Sequence, residues 1–175
     1  MSSGGRVQDR AGAITRFASG GPYEPIVGYS RAVRAGDWIA VSGTTGFDES
    51  GQIVGRGQMY VQARQTITNI ARALERAGAG FSDVIRTRIF VTDMDRFSEV
   101  ARAHRESFGA APPASTAVEV RRLAHPDMMI EIEVDAFAPI AAPAQASITP
   151  KPRPRRVIGP PPRGRIKAKS KPMRR

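Results

Sequence analysis

The spacing of apolar and polar residues changes period several times along this chain of 175 residues. Residues 26–33 and 38–47 are rich in β-branched and aromatic side chains and are separated by Arg34-Ala35-Gly36-Asp37, which predicts a β-hairpin. Asp48-Glu49-Ser50-Gly51 reads as a turn, followed by Ile53-Val54 as a short further strand. From Met59 the spacing becomes helical. Met59, Ala63, Ile67, Ile70, Leu74 and Ala77 recur every three or four positions, and Gly78 stands where a helix stop is expected. Residues 84–92 alternate again, with Ile85, Thr87, Ile89 and Val91 on one face and Arg86 and Arg88 on the other. Asp95 is placed to cap a second helix carrying Phe97, Val100, Ala101, His104 and Phe108 inward, and Gly109 ends it before Pro112-Pro113. Residues 116–123 and 128–137 are two more alternating strands, joined around His125-Pro126-Asp127.

The predicted order is β-β-α-β-α-β-β, an α+β arrangement with two helices on one face of a mostly antiparallel sheet. Val118, Val120, Ile130, Ile132 and Val134 are expected on the helix-covered side. That leaves Glu119, Arg121, Glu131, Glu133 and Asp135 on the open side. An open sheet face with organised charge is either solvated or, the reading favoured here, the interior of an oligomer, with Arg86, Arg88 or Arg121 partnering the carboxylates.

Charge divides the chain. The formal net charge is +11, yet eleven of the 27 basic residues, and no acidic one, fall in residues 141–175, leaving sixteen of each sign before them. Every lysine and eight of the 14 prolines also lie there. Such a segment self-repels and has little to bury, so it is expected to be disordered. The organisation is then a flexible N-terminal segment at 1–21, a folded domain at 22–140 and a basic tail at 141–175. The tail reads as a solvated extension or as a weak, phosphate-driven contact to nucleic acid or another polyanion. It has no aromatic residue on which bases could stack.

With no cysteine and two histidines, His104 and His125, the composition excludes disulfides, thiolate metal sites and thiol nucleophiles and offers few imidazole ligands. No metal site is expected. No apolar run approaches the roughly 20 residues needed to span a bilayer, and residues 1–21 lack a secretory signal's apolar stretch. A cytoplasmic protein without a membrane partner is the expectation.

Four strings fall in a telling order. They are Gly36-Asp37-Trp38-Ile39-Ala40-Val41-Ser42-Gly43, then Gln62-Ala63-Arg64-Gln65-Thr66 with Asn69-Ile70, then residues 84–93, and last the pair Ser115-Thr116-Ala117-Val118-Glu119-Val120 and Ile130-Glu131-Ile132-Glu133-Val134-Asp135-Ala136. The series resembles the Rid superfamily of RidA-type imine and enamine deaminases, formerly labelled endoribonuclease L-PSP, over residues 23–138. The resemblance implies a chorismate-mutase-like fold, a homotrimer with ligand clefts between subunits, and cofactor-free hydrolysis of small enamines or imines to a 2-keto acid and ammonia. It implies Tyr29 as the cleft tyrosine, Glu131 as the water-orienting carboxylate and Gly43 as a backbone ligand contact. Ser115, Thr116 and Ala117 fall at its substrate-binding stretch. Ser115 stands where the family has a substrate-gripping arginine. A hydroxyl cannot reproduce the two parallel charge-assisted bonds of a guanidinium, so a substrate without a free carboxylate suits this stretch better than 2-aminoacrylate.

From the residues alone, Glu131 reads first as part of a structural charge ladder with Glu133 and Asp135, and His104 reads as a packed, hydrogen-bonded core residue. Three functions follow: a hydrolase acting on a small-molecule imine, enamine or carbonyl; a non-catalytic trimer binding a metabolite or protein partner; and an endoribonuclease-like RNA contact, which a domain of zero net charge does not favour.

Overall fold

The computed structural model describes residues 6–8 and 14–139. The segment expected as a basic tail, with its polyanion contact, lies outside the described residues. The elements are β1 (Arg6–Gln8), β2 (Ile14–Phe17), α1 (Tyr23–Val27), β3 (Ala32–Ala35), β4 (Trp38–Thr44), α2 (Met59–Arg76), β5 (Val84–Val91), α3 (Phe97–Phe108), β6 (Ala114–Glu119) and β7 (Ile130–Phe137). They form one seven-stranded sheet in the order β1-β2-β3-β4-β7-β5-β6. All pairings are antiparallel except β5 with β6, which α3 connects as a crossover.

The helical stripe read from spacing is the stripe that packs. Met59, Ala63, Ile67, Ile70 and Leu74 of α2, with Val100, Ala103 and Phe108 of α3, cover Ile39 and Val41 of β4, Ile89 and Val91 of β5, and Ile130, Ile132 and Val134 of β7. Each such aliphatic side chain contributes about 1.5–3 kcal/mol on full burial. Gly78, at φ +78, follows the Ala77 cap in the left-handed conformation a non-glycine residue resists. The α2 string Gln62…Asn69 explains itself here. Buried Gln62 donates to Asp127 O (2.7 Å) and accepts from Met129 N (2.9 Å), fixing the entry to β7. Asn69 donates to Thr45 O and Phe47 O (2.9 and 2.8 Å), fixing the exit from β4.

Several expectations need correction. Part of the segment expected to be flexible at 1–21 is in the sheet: β2 pairs with β3, burying Thr15 and Phe17. Four alternating residues among glycines and serines are too few to show a period. Residues 26–33 are not one strand. Tyr23–Val27 is a helical turn stopped by Gly28 at φ +81, and the strand begins only at Ala32. The second helix is led in by a 3₁₀ turn at Met94–Arg96, whose cap is Asp93, accepting from Asp95 N at 3.1 Å, rather than Asp95 itself. Ile85 is exposed because a bulge between Val84 and Arg86 gives its inward place to Val84.

The largest correction concerns β6. Its register sets Thr87 against Ser115, Ile89 against Ala117 and Val91 against Glu119. Ser115, Ala117 and Glu119 therefore face the helices, and Glu119 accepts from Met94 N at 2.8 Å. Val118, expected inward, is exposed beside Phe90 on the open side. A one-residue offset exchanges the faces of a strand, and the small inward residue Ala117 left no apolar marker.

On the open face, Glu131, Glu133 and Asp135 alternate with buried Ile132 and Val134, as expected. Arg88 bridges Glu133 and Asp135 at 3.2 and 3.0 Å within the same chain. Trp38, Val118 and Phe137 lie on the same face, each more than two-fifths exposed.

Candidate active site

The site is built where β4 bends. The β4–β7 register slips between Val41 and Thr44, so one extra β4 residue is accommodated opposite β7. Gly43 falls in this bulge and faces Glu131. A Cβ at Gly43 would overlap the Glu131 carboxylate, at 2.9 Å from its carboxyl carbon, so the glycine is what lets that carboxylate lie against the backbone. Glu131 accepts no hydrogen bond from any described residue. Burial raises its pKa above the ordinary carboxylate value, the charge of Glu133 raises it further, and Arg31 pulls it partly back.

Arg31 is the residue that sequence reasoning missed. It is 15% exposed and meets five residues. One terminal nitrogen donates to Gly43 O (2.6 Å), Ser42 O (3.2 Å) and Thr44 Oγ1 (3.0 Å). The other donates to the Tyr29 hydroxyl (2.8 Å), and the guanidinium lies over the Tyr29 ring at 5.2 Å. Its Nε sits 3.9 Å from Glu24. Glu24 is buried, which alone would raise its pKa. Hydrogen bonds from the Ser19 hydroxyl and the Ser19 and Gly20 N–H groups, with the charge of Arg31, bring it below the ordinary value instead. The signal available in the sequence was spacing: Tyr29 and Arg31 stand two apart, just ahead of β3.

Tyr29, Gly43 and Glu131 are thus brought together around Arg31. Ser115, Thr116 and Ala117 are not brought to them within one chain. Glu131 pairs with Phe90 on the open face, whereas Ser115 pairs with Thr87 and faces the helices, and Thr116 pairs with Arg88. The assembled cluster can hold a polar ligand against the Gly43 backbone, offer a phenol hydroxyl, and exchange a proton at a carboxylate whose pKa is raised. Replacing Gly43 by alanine should leave the chain folded but push the Glu131 carboxylate off the bulge. A crystal structure of the variant, with a thermal midpoint close to wild type, would show it.

Two helices on one face of a single sheet, with a carboxylate seated on a strand bulge, define the chorismate-mutase-like α+β class. The chain belongs to the Rid (YjgF) superfamily, since the family described as endoribonuclease L-PSP matches residues 21–138. A solved structure from Mycobacterium tuberculosis, a member of the YjgF/YER057c/UK114 family, is 42% identical with a TM-score of 0.65, covering 71% of this chain and 99% of that one. A RutC family protein of Pyrococcus horikoshii is 39% identical over 115 residues, 65% of this chain and 90% of its own. The mouse 2-iminobutanoate/2-iminopropanoate deaminase is 32% identical over 111 residues, 63% of this chain and 79% of its own. No helix among the described residues is long and apolar enough to cross a membrane.

Proposed function

We propose that this protein hydrolyses a small enamine, imine or related carbonyl compound, without a cofactor, in clefts between the subunits of a homotrimer. The observation that carries the reading is Glu131: a half-buried carboxylate with raised pKa and no hydrogen bond from the described residues, held on Gly43 beside the Arg31–Tyr29 pair. In an imine, Glu131 aims a water at the C=N carbon and takes its proton. That proton passes to the nitrogen as the new C–O bond gives a carbinolamine; the carbinolamine hydroxyl then yields its proton, the nitrogen takes a second, and C–N cleavage releases ammonia and leaves the ketone. The Tyr29 hydroxyl donates to the substrate. The name of the mouse relative supports this class of chemistry for the family fold.

The trimer is supported by the open face. Trp38 and Phe137, partners across β4 and β7, are exposed at one end of that face and Val118 on β6 at the other, with the Arg88 and carboxylate pairs between them, apolar surface that a second subunit would cover. Ser115, Thr116 and Ala117 lie on the edge strand β6, apart from Glu131 of the same chain, so in this reading they meet the Glu131 of a neighbouring subunit. Serine at position 115 favours the second reading, a trimer that binds a metabolite without turning it over.

The test is release of keto acid and ammonia from enzymatically generated 2-aminoacrylate, with wild type beside Glu131→Ala. Release above the uncatalysed rate that disappears in the variant is expected. A trimeric wild type with no enhancement on this or any neutral imine would sink the hydrolase reading in favour of binding alone.

A further inference from the structure

Ser115 is the exposed end of a hydrogen-bond chain that runs into the core. Its Oγ lies 2.9 Å from Thr87 Oγ1, which lies 3.1 Å from His104 Nε2. Thr87 is completely buried on β5, and the His104 ring packs on Phe108 at 4.6 Å. Ser115 itself sits on β6, the outer strand of the sheet. Thr87 has one hydroxyl proton and can donate to only one of its two neighbours. Burial lowers the pKa of His104, so at neutral pH the ring carries a single N–H, and its position decides the sense of the whole chain. With the proton on Nε2, His104 donates to Thr87, Thr87 donates to Ser115, and the Ser115 proton is left to point outward. With Nε2 bare, every bond reverses and Ser115 presents only lone pairs. The 2.9 Å separation of the two hydroxyl oxygens accommodates either sense, and the site of the His104 proton selects between them.

We propose that His104, Thr87 and Ser115 form an outward-polarised relay that offers the Ser115 hydroxyl as a donor to an uncharged carbonyl oxygen. The chain thereby selects amides, esters or ketones at the place where an arginine would select a carboxylate. Aligned hydrogen bonds in a low-dielectric interior strengthen one another, which makes this hydroxyl a better donor than an isolated serine. It carries no net charge, so it cannot repay the desolvation of a carboxylate. The inference rests on the proposed cleft for the position of the ligand, but not on any turnover there.

Pyruvamide and pyruvate are matched in size and differ in charge, and their binding to the full chain reads the proposal directly. Pyruvamide should bind more tightly than pyruvate. Ser115→Ala and Thr87→Val should each weaken pyruvamide by about 3- to 10-fold, the range of one neutral hydrogen bond. The double variant should be no worse than either single one, because one chain is broken once. Nitrogen-15 NMR of His104, in a His125→Gln background that leaves one imidazole, should find the proton on Nε2 in the neutral ring. The proposal is overturned by a bare Nε2, by tighter binding of pyruvate, by absence of pyruvamide binding, or by a folded Thr87→Val protein that binds pyruvamide as wild type does. Loss of 2-aminoacrylate hydrolysis would remove the hydrolase reading and leave these binding and spectroscopic results standing.

Discussion

Arg31→Ala should destabilise the protein by about 2–4 kcal/mol, seen as a lower urea midpoint. The guanidinium is the donor for the Gly43 and Ser42 carbonyls, the Thr44 hydroxyl and the Tyr29 hydroxyl, and the counter-charge to Glu24. Removing one member of a buried charged pair costs about 3–5 kcal/mol when the survivor is stranded. Glu24 keeps its bonds from Ser19 and Gly20, and the pair is long at 3.9 Å, so the lower part of that range and below is appropriate. The same change removes the positive charge that moderates Glu131, whose pKa should then climb further. Arg31→Lys separates the two effects: the charge stays and the planar fork goes. Titration of Glu131 by carbon-13 NMR should show its pKa raised in the alanine variant and nearly unchanged in the lysine one, with both variants losing stability. A wild-type urea midpoint together with a wild-type Glu131 titration in Arg31→Ala would show that Arg31 does not organise the site.

Glu131→Gln should move stability and activity in opposite directions. The folded-state pKa of Glu131 lies above the ordinary 4.5. Well below that value the carboxyl is protonated in both states and costs nothing. As pH rises, the unfolded chain ionises first, so stability falls through the interval between the unfolded and folded pKa values and stays lowered at neutral pH. Glutamine, nearly the same shape and never charged, escapes that loss. The variant should melt at a higher temperature than wild type at pH 7, and the difference should vanish below about pH 4, near the ordinary carboxylate range. Catalysis, if Glu131 is the group that exchanges the water proton, should fall by about 10²- to 10⁴-fold. A residue whose removal stabilises the fold and abolishes the reaction is held against the fold's interest. A variant no more stable than wild type at pH 7, with its activity intact, would return Glu131 to the structural charge ladder.

How much of this was legible in the sequence depended on whether a signal repeats. The α2 stripe runs over five turns and ends in Gly78, and the β7 alternation runs over eight residues without a break. Both were plain. The face of β6 was not, because its one inward apolar side chain is Ala117 and its register comes from pairing with β5. The Ile14–Phe17 strand was hidden by its length. Tyr29, Gly43 and Glu131 could be named through the family resemblance, but what binds them could not. The contact of Gly43 with Glu131 is made across two strands at a bulge, and bulges leave no period. The link from Ser115 through Thr87 to His104 joins positions 28 and 17 residues apart, which only the register of a parallel pair brings into line.

The last strand among the described residues lies inside the sheet rather than at its edge. β7 lies between β4 and β5 and carries Glu131 with it. Until it is made, the strands before it form two separate ladders, β1 to β4 on one side and β5 with β6 on the other. Neither has a partner for its inner edge, and the core residues of α2 have no completed floor to rest on. A nascent chain therefore gains its site and its sheet in one late step, through contacts between residues about a hundred positions apart, such as Trp38 with Phe137. Slow folding and a dependence on protection of the two open edges during synthesis follow from that placement.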